Sequence, residues 1–168
     1  MAVINDYVDS NLAVATGKKA NALSVGAAEA HFGAVTFEIA AADSDGSIYR
    51  LFKSLDPCLI PISVEIYNDA ITGGTDFDLG FYETVEAGGA VIDKDVLKDG
   101  ADLSSAHASG SALDGLGSVD VADRVKRIFE LCGHTLTTRK PGYDMALTAN
   151  TVGSGAGTVT VIAIFVQG

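Results

Sequence analysis

The sequence predicts a mainly β protein, a jelly-roll-like β-sandwich with one short helix and an extended N-terminal arm. Three observations carry this reading. Short stretches in which apolar and polar residues alternate recur from Phe32 onward. The chain holds nineteen glycines, most of them between and within these stretches, where tight turns ask for positive φ. The last stretch, Thr158 to Gln167, is apolar on both parities, as in a strand covered on both faces. A chain of 168 residues suits one domain, whose core needs neither metal nor disulfide.

Residues 1–31 form the arm. Asn, Asp, Ser, Ala and Gly dominate it, and Lys18-Lys19 is its only basic pair. It either drapes over a neighbouring subunit or ends as a partly ordered terminus. Residues 32–168 form the sandwich. In Gly33 to Ala40, Val35, Phe37 and Ile39 alternate with Thr36 and Glu38, which gives one buried face. Asp43 to Gly46 reads as a turn, with Ser47 to Lys53 as the following strand. Leu59 to Tyr67 places Ile60, Ile62, Val64 and Ile66 on one side and Ser63, Glu65 and Tyr67 on the other. Pro61 lacks an amide donor and marks this strand as an edge near its start. Thr72-Gly73-Gly74-Thr75 is expected to close a hairpin onto Phe77, Leu79 and Phe81.

The stretch 86–120 is rich in Gly, Ala, Ser and Asp. It reads as a long loop with room for one short strand or turn near Val91 to Leu97. A helix is expected over 121–132, with Val121, Val125, Ile128 and Cys132 on one stripe widened by Phe129. Asp120 would cap its start, and Gly133 would end it in the left-handed conformation. Tyr143 to Ala149 and Thr158 to Gln167 close the chain as strands. The second, with Ile162, Ile164 and Val166 opposite Val159, Val161 and Phe165, must lie under another element or in an oligomer interface.

Charge narrows the function classes. The net charge is −11, and no run of Lys and Arg opposes it, so nucleic acid is not an expected partner. An anionic membrane is excluded on the same ground, and no apolar stretch reaches the length of a helical span. Residues 1–11 lack a basic and an apolar signal region, which points to folding in a reducing cytoplasm with Cys58 and Cys132 as free thiols. Charged residues make up only 20% of the chain, which leaves apolar surface for partners to cover.

Candidate chemistry is sparse. Asp43-Ser44-Asp45-Gly46 opens like a calcium loop, but Ile48 and Ser54 stand where the sixth-position Gly and twelfth-position Glu are needed. Asp76 and Asp78 share a strand face without a third carboxylate close in sequence. His31, His107 and His134 do not fall at ligand spacing with either cysteine. Cys132-Gly133-His134 reads as a helix end rather than a nucleophile pair. No Gly-x-Ser-x-Gly elbow or phosphate-binding Gly-rich loop occurs. Catalytic, cofactor-binding and metal-binding residues are therefore none, and no cofactor is expected.

Three stretches form a familiar set. They are Ser47-Ile48-Tyr49-Arg50-Leu51-Phe52, the run from Tyr67-Asn68-Asp69-Ala70 through Gly73-Gly74 to Phe81-Tyr82, and Tyr143-Asp144-Met145-Ala146-Leu147-Thr148-Ala149-Asn150-Thr151. The pattern, over about half the chain, resembles small β-sandwich head-decoration (cement) proteins of tailed bacteriophages. The resemblance implies a non-enzymatic virion protein on the capsid surface, assembled in the host cytoplasm. Its partner would be the major capsid protein, whose subunits it bridges, and it would be a homo-oligomer, trimer or dimer. The alternative is a phage tail or fibre module that binds a receptor or carbohydrate. The absence of Trp and the scatter of the five tyrosines count against a glycan platform.

Overall fold

The computed structural model describes residues 5–7, 15–16 and 30–168 apart from residue 109. The strands are β1 (Asn5–Tyr7), β2 (Ala15–Thr16), β3 (Ala30–Ile39), β4 (Ile48–Leu55), β5 (Leu59–Asn68), β6 (Asp76–Glu83), β7 (Val91–Ala101), β8 (Leu113–Asp114), β9 (Tyr143–Thr151) and β10 (Gly157–Gln167). One helical turn, α1, spans Ile128–Leu131. The strands form two sheets, ordered β1-β4-β9-β6-β7 and β2-β3-β10-β5-β8. From β3 onward the chain crosses between sheets at every connection except β6 to β7. This gives the interleaved orders β4-β9-β6-β7 and β3-β10-β5-β8, the wrap of a jelly roll.

The alternation in the sequence fills the space between the sheets. Val35, Phe37 and Ile39 of β3, Phe77, Leu79 and Phe81 of β6, and Val159, Val161, Ala163 and Phe165 of β10 are buried together. Phe37 stacks on Tyr49 with ring centroids 5.2 Å apart, which ties one sheet to the other. At Gly33 an added Cβ would lie 2.6 Å from the Phe52 ring, so the close approach of β3 to β4 depends on that glycine.

Of the expected arm, β1 pairs in parallel with Ile48–Arg50 of β4, and β2 pairs antiparallel with Phe32 and His31 of β3. These two pieces extend both sheets within the same chain. Ala30 and His31, expected in the arm, already belong to β3, where they pair with Val166 and Phe165 of β10; the other residues of the arm lie outside the described residues.

Four expectations need correction. The Gly73-Gly74 turn does not close a hairpin, because β5 and β6 belong to different sheets. The connection holds Ile71 in the core and bonds its amide to Leu103 O, so it bridges the layers rather than folding one strand onto its neighbour. Leu59–Tyr67 does not keep one parity. A bulge leaves Ile62 without a ladder partner between Ser63↔Ile164 and Pro61↔Phe165. Beyond it Leu59 and Pro61 turn inward, while Ile60 and Ile62 face out.

The stretch 86–120 contains an eleven-residue strand, β7, as well as β8. Its alternation is broken because Phe81↔Asp93 and Leu79↔Lys98 leave four residues of β7 bulged between two rungs. The helix expected over 121–132 forms only as a 3-10 turn at Val121–Asp123 and as α1. Asp120 does cap the first turn through Ala122 N, and Gly133 does take φ 70°. Val121 and Val125 are 88% and 75% exposed, however, so the expected stripe has no core to face, and only Ile128 and Phe129 are buried.

Candidate functional site

The two outer faces of the sandwich differ, and the difference locates the candidate site. Behind β4-β9-β6 the bulged β7 folds over the sheet. A Cβ on Gly80 would lie 2.1 Å from Asp93 O and 2.4 Å from Lys94 C, so only glycine allows this cover. Beneath it runs a layer of satisfied polar groups. Arg50 and Asp144, both fully buried, pair at 2.9 Å. Arg50 also donates to Glu83 O and Gly89 O and lies over the Tyr82 ring, while Asp144 accepts from Ser54 N. Tyr82 Oη bonds Thr148 Oγ1 at 2.6 Å. Lys94 Nζ lies 2.9 Å from Asp78 and donates to Asn150 Oδ1, and Asn150 donates to Asp76 and Asp78. This face is closed by its own chain.

Across β3-β10-β5 no such layer exists among the described residues. Ladder neighbours place Phe32 beside Ile164, Ala34 beside Ile162 and Ala30 beside Val166. On the other flank Ile60 pairs with Val166 and Glu65 with Ile162, and Ile62 bulges outward. Phe32 is 47% exposed and Ile62 51%, with Ile164 at 36%. The outcome, among the described residues, is an apolar half-face on a folded sheet, which makes it the candidate site. Toward the other end it becomes polar, with Thr36 bonded to Thr160, Thr158 to Glu38 and Tyr67 to Glu65. The apolar outward side of β10 was legible in the sequence. The alternation of the sequence places Ile60 and Ile62 on the core side, and the signal against that is Pro61, a residue confined to edges and bulges.

The weighed acidic residues sit in structural roles. Asp43 accepts from Ala40 N and from Tyr49 Oη at 2.7 Å, and Asp45 accepts from Val152 N. These bonds make Asp43–Gly46 a braced turn, with Gly46 at φ 85°. Burial raises the Asp78 carboxyl, but bonds from Lys94, Asn150 and Gly100 N outweigh it and hold the pKa below the usual range. Asp95 and Asp99 each bring an oxygen within 4.8 Å of one on Asp78, whereas Asp76 is not part of that group. Lys94 already supplies the countercharge at Asp78.

His134 Nδ1 lies 2.6 Å from Tyr143 Oη, and His107 Nδ1 lies 3.0 Å from Asn68 Oδ1. His31 stands opposite Phe165 on β3. Cys58 and Cys132 are free and half-buried. Burial, helped by the Asp93 charge, pushes the Cys132 thiol up to about 12, the opposite of what a nucleophile needs. No helix among the described residues is long and apolar enough to cross a membrane.

No protein-family model and no curated protein matches this sequence. The fold has counterparts among solved structures. A chain in the capsid of Ralstonia phage GP4 matches with a TM-score of 0.52 at 14% identity, covering 97% of this chain and 99% of that one. A chain in the cyanophage Pam1 capsid asymmetric unit matches with a TM-score of 0.46 at 17% identity, covering 92% and 99%. The first likeness establishes the fold over almost the full length of both chains. The second is too loose to carry an argument.

Proposed function

We propose that this chain is a structural protein of a phage virion, bound to the outer surface of the capsid, where it bridges major capsid subunits. The observation that carries the reading is the end-to-end fold match with a chain from a phage capsid. The match takes in 97% of this chain and 99% of that one. The role is one of binding rather than catalysis. The polar groups of the closed face are paired with one another, and the open face offers aliphatic side chains instead of a nucleophile and base. A net charge of −11 suits the outside of a shell better than its DNA-facing side. The glycan-binding alternative gains nothing from the open face, where Phe32 is the only aromatic residue of the apolar part among the described residues.

The test is co-sedimentation of the purified protein with capsids that lack it. Saturable binding, with a fixed number of copies per shell and a raised disruption temperature of the particle, is the expected result. Unchanged particle stability and no saturable binding would overturn the reading.

A further inference from the structure

We propose that this chain associates with itself head to tail: the open face of β3, β10 and β5 in one copy receives the 121–140 segment of the next. The two surfaces complement each other in both apolar character and charge. The open face centres on Phe32, Ile62 and Ile164, and the only charged side chains on its three strands are Glu38 and Glu65. The 121–140 segment has the opposite sign. It holds five of the chain's eleven basic residues, Arg124, Lys126, Arg127, Arg139 and Lys140, against two acids, Asp123 and Glu130. Among these bases it exposes Val121, Val125 and Leu136. An apolar face with an acidic border thus exists on the same molecule as exposed aliphatic residues with a basic border.

Charge also sets the kind of symmetry. Pairing two open faces would bring Glu38 and Glu65 of both copies together on strands that carry no Lys or Arg among the described residues, and like charges oppose that arrangement. A contact between two different surfaces puts acid against base. Two of the bases are accessible for such exchange, whereas Lys140 already pairs with Glu83 at 2.7 Å and Arg139 donates to Cys58 Sγ. Arg124 meets Asp114 at 3.4 Å and Lys126 meets Asp123 at 2.8 Å, both as solvent-exposed pairs of small worth. The segment connects β8 in one sheet to β9 in the other and supplies no strand of the open face; it rests on the start of β5 through Phe129 N to Pro57 O and Arg139 to Cys58 Sγ, with Val121, Val125 and Leu136 left exposed. A contact between unlike surfaces closes as a ring or continues as a filament.

The experiment uses the full chain, light scattering after gel filtration, and two variants at exposed positions, Ile164→Lys on the face and Val125→Glu on the segment. Circular dichroism checks that each is folded. The wild type is expected to form a multimer, and each variant alone to run as the 17.2 kDa monomer. Mixed in equal amounts, the two variants should form a species of twice that mass and nothing larger. Each mixture pair retains one intact face and one intact segment. Three results overturn the proposal: a monomeric wild type, dissociation by Ile164→Lys but not by Val125→Glu, or a mixture that stays monomeric. The first would leave the face to a capsid subunit or to the chain's own residues 1–29. A monomeric wild type that still saturates capsids would retain the virion role and remove only this inference.

Discussion

Replacing Asp144 with Ala tests the closed face at its most buried point. Asp144 and Arg50 are both without solvent exposure and meet at 2.9 Å. The substitution takes the Asp144 carboxylate away from a buried guanidinium that also donates to Glu83 O and Gly89 O. Breaking a buried pair by removing one partner typically costs about 3–5 kcal/mol. A second loss adds to this. Ser54, at φ 51°, is a non-glycine residue in the left-handed region, and its amide is held by Asp144 Oδ1 at 2.8 Å. For a domain of this size each kcal/mol moves Tm by about 2–4 °C, so the expected fall is roughly 6–20 °C. Urea titration with the same variant should lower the midpoint without changing the slope. The double variant Arg50→Met/Asp144→Leu removes both charges and should recover much of the loss. A single variant within 2 °C of wild type would refute the reasoning, as would a double variant less stable than the single one.

Three further outcomes follow from the same geometry. Gly80→Ala should destabilise the fold by about 1–3 kcal/mol or more, because its methyl would overlap the β7 backbone, and a neutral effect in thermal melts would contradict the cover described for that face. Asp78 has a folded pKa below its unfolded value, so its contribution is present above about pH 4 and is lost as pH falls through the folded value. Melting temperatures between about pH 5 and pH 2 should therefore fall less steeply in Asp78→Asn than in wild type, and parallel curves would contradict this. Cys132 should react with a thiol reagent at pH 8 far more slowly in the native protein than in denaturant, and equal rates would show that its burial is wrong.

Much of the sandwich was legible because period-two alternation reports burial directly. Val35, Phe37 and Ile39 and the β6 set face the core as their spacing requires. What the spacing hid were departures from regular pairing. The bulge at Ile62 reversed the parity of a strand whose letters alternate without a break. The charged residues Asp93, Lys94 and Asp95 disguised β7 as a loop, because its bulge sets Lys94 over polar groups of the sheet and, of its four residues, fully buries only Leu97. The 121–132 stretch has a helical stripe in sequence, yet a stripe forms a helix in a short segment only where something packs on it. Of the candidate interface, the outward side of β10 was visible as surplus apolar character. Its neighbours Phe32 and Ile62 became part of it only through strand order and register, which no single segment encodes.

The most direct test of the virion role is cryo-electron microscopy of capsids before and after the purified chain is added. The role predicts additional density on the outside of the shell, shaped as a two-sheet jelly roll and touching at least two major capsid subunits. Unchanged capsids, or density confined to a tail structure, would contradict it.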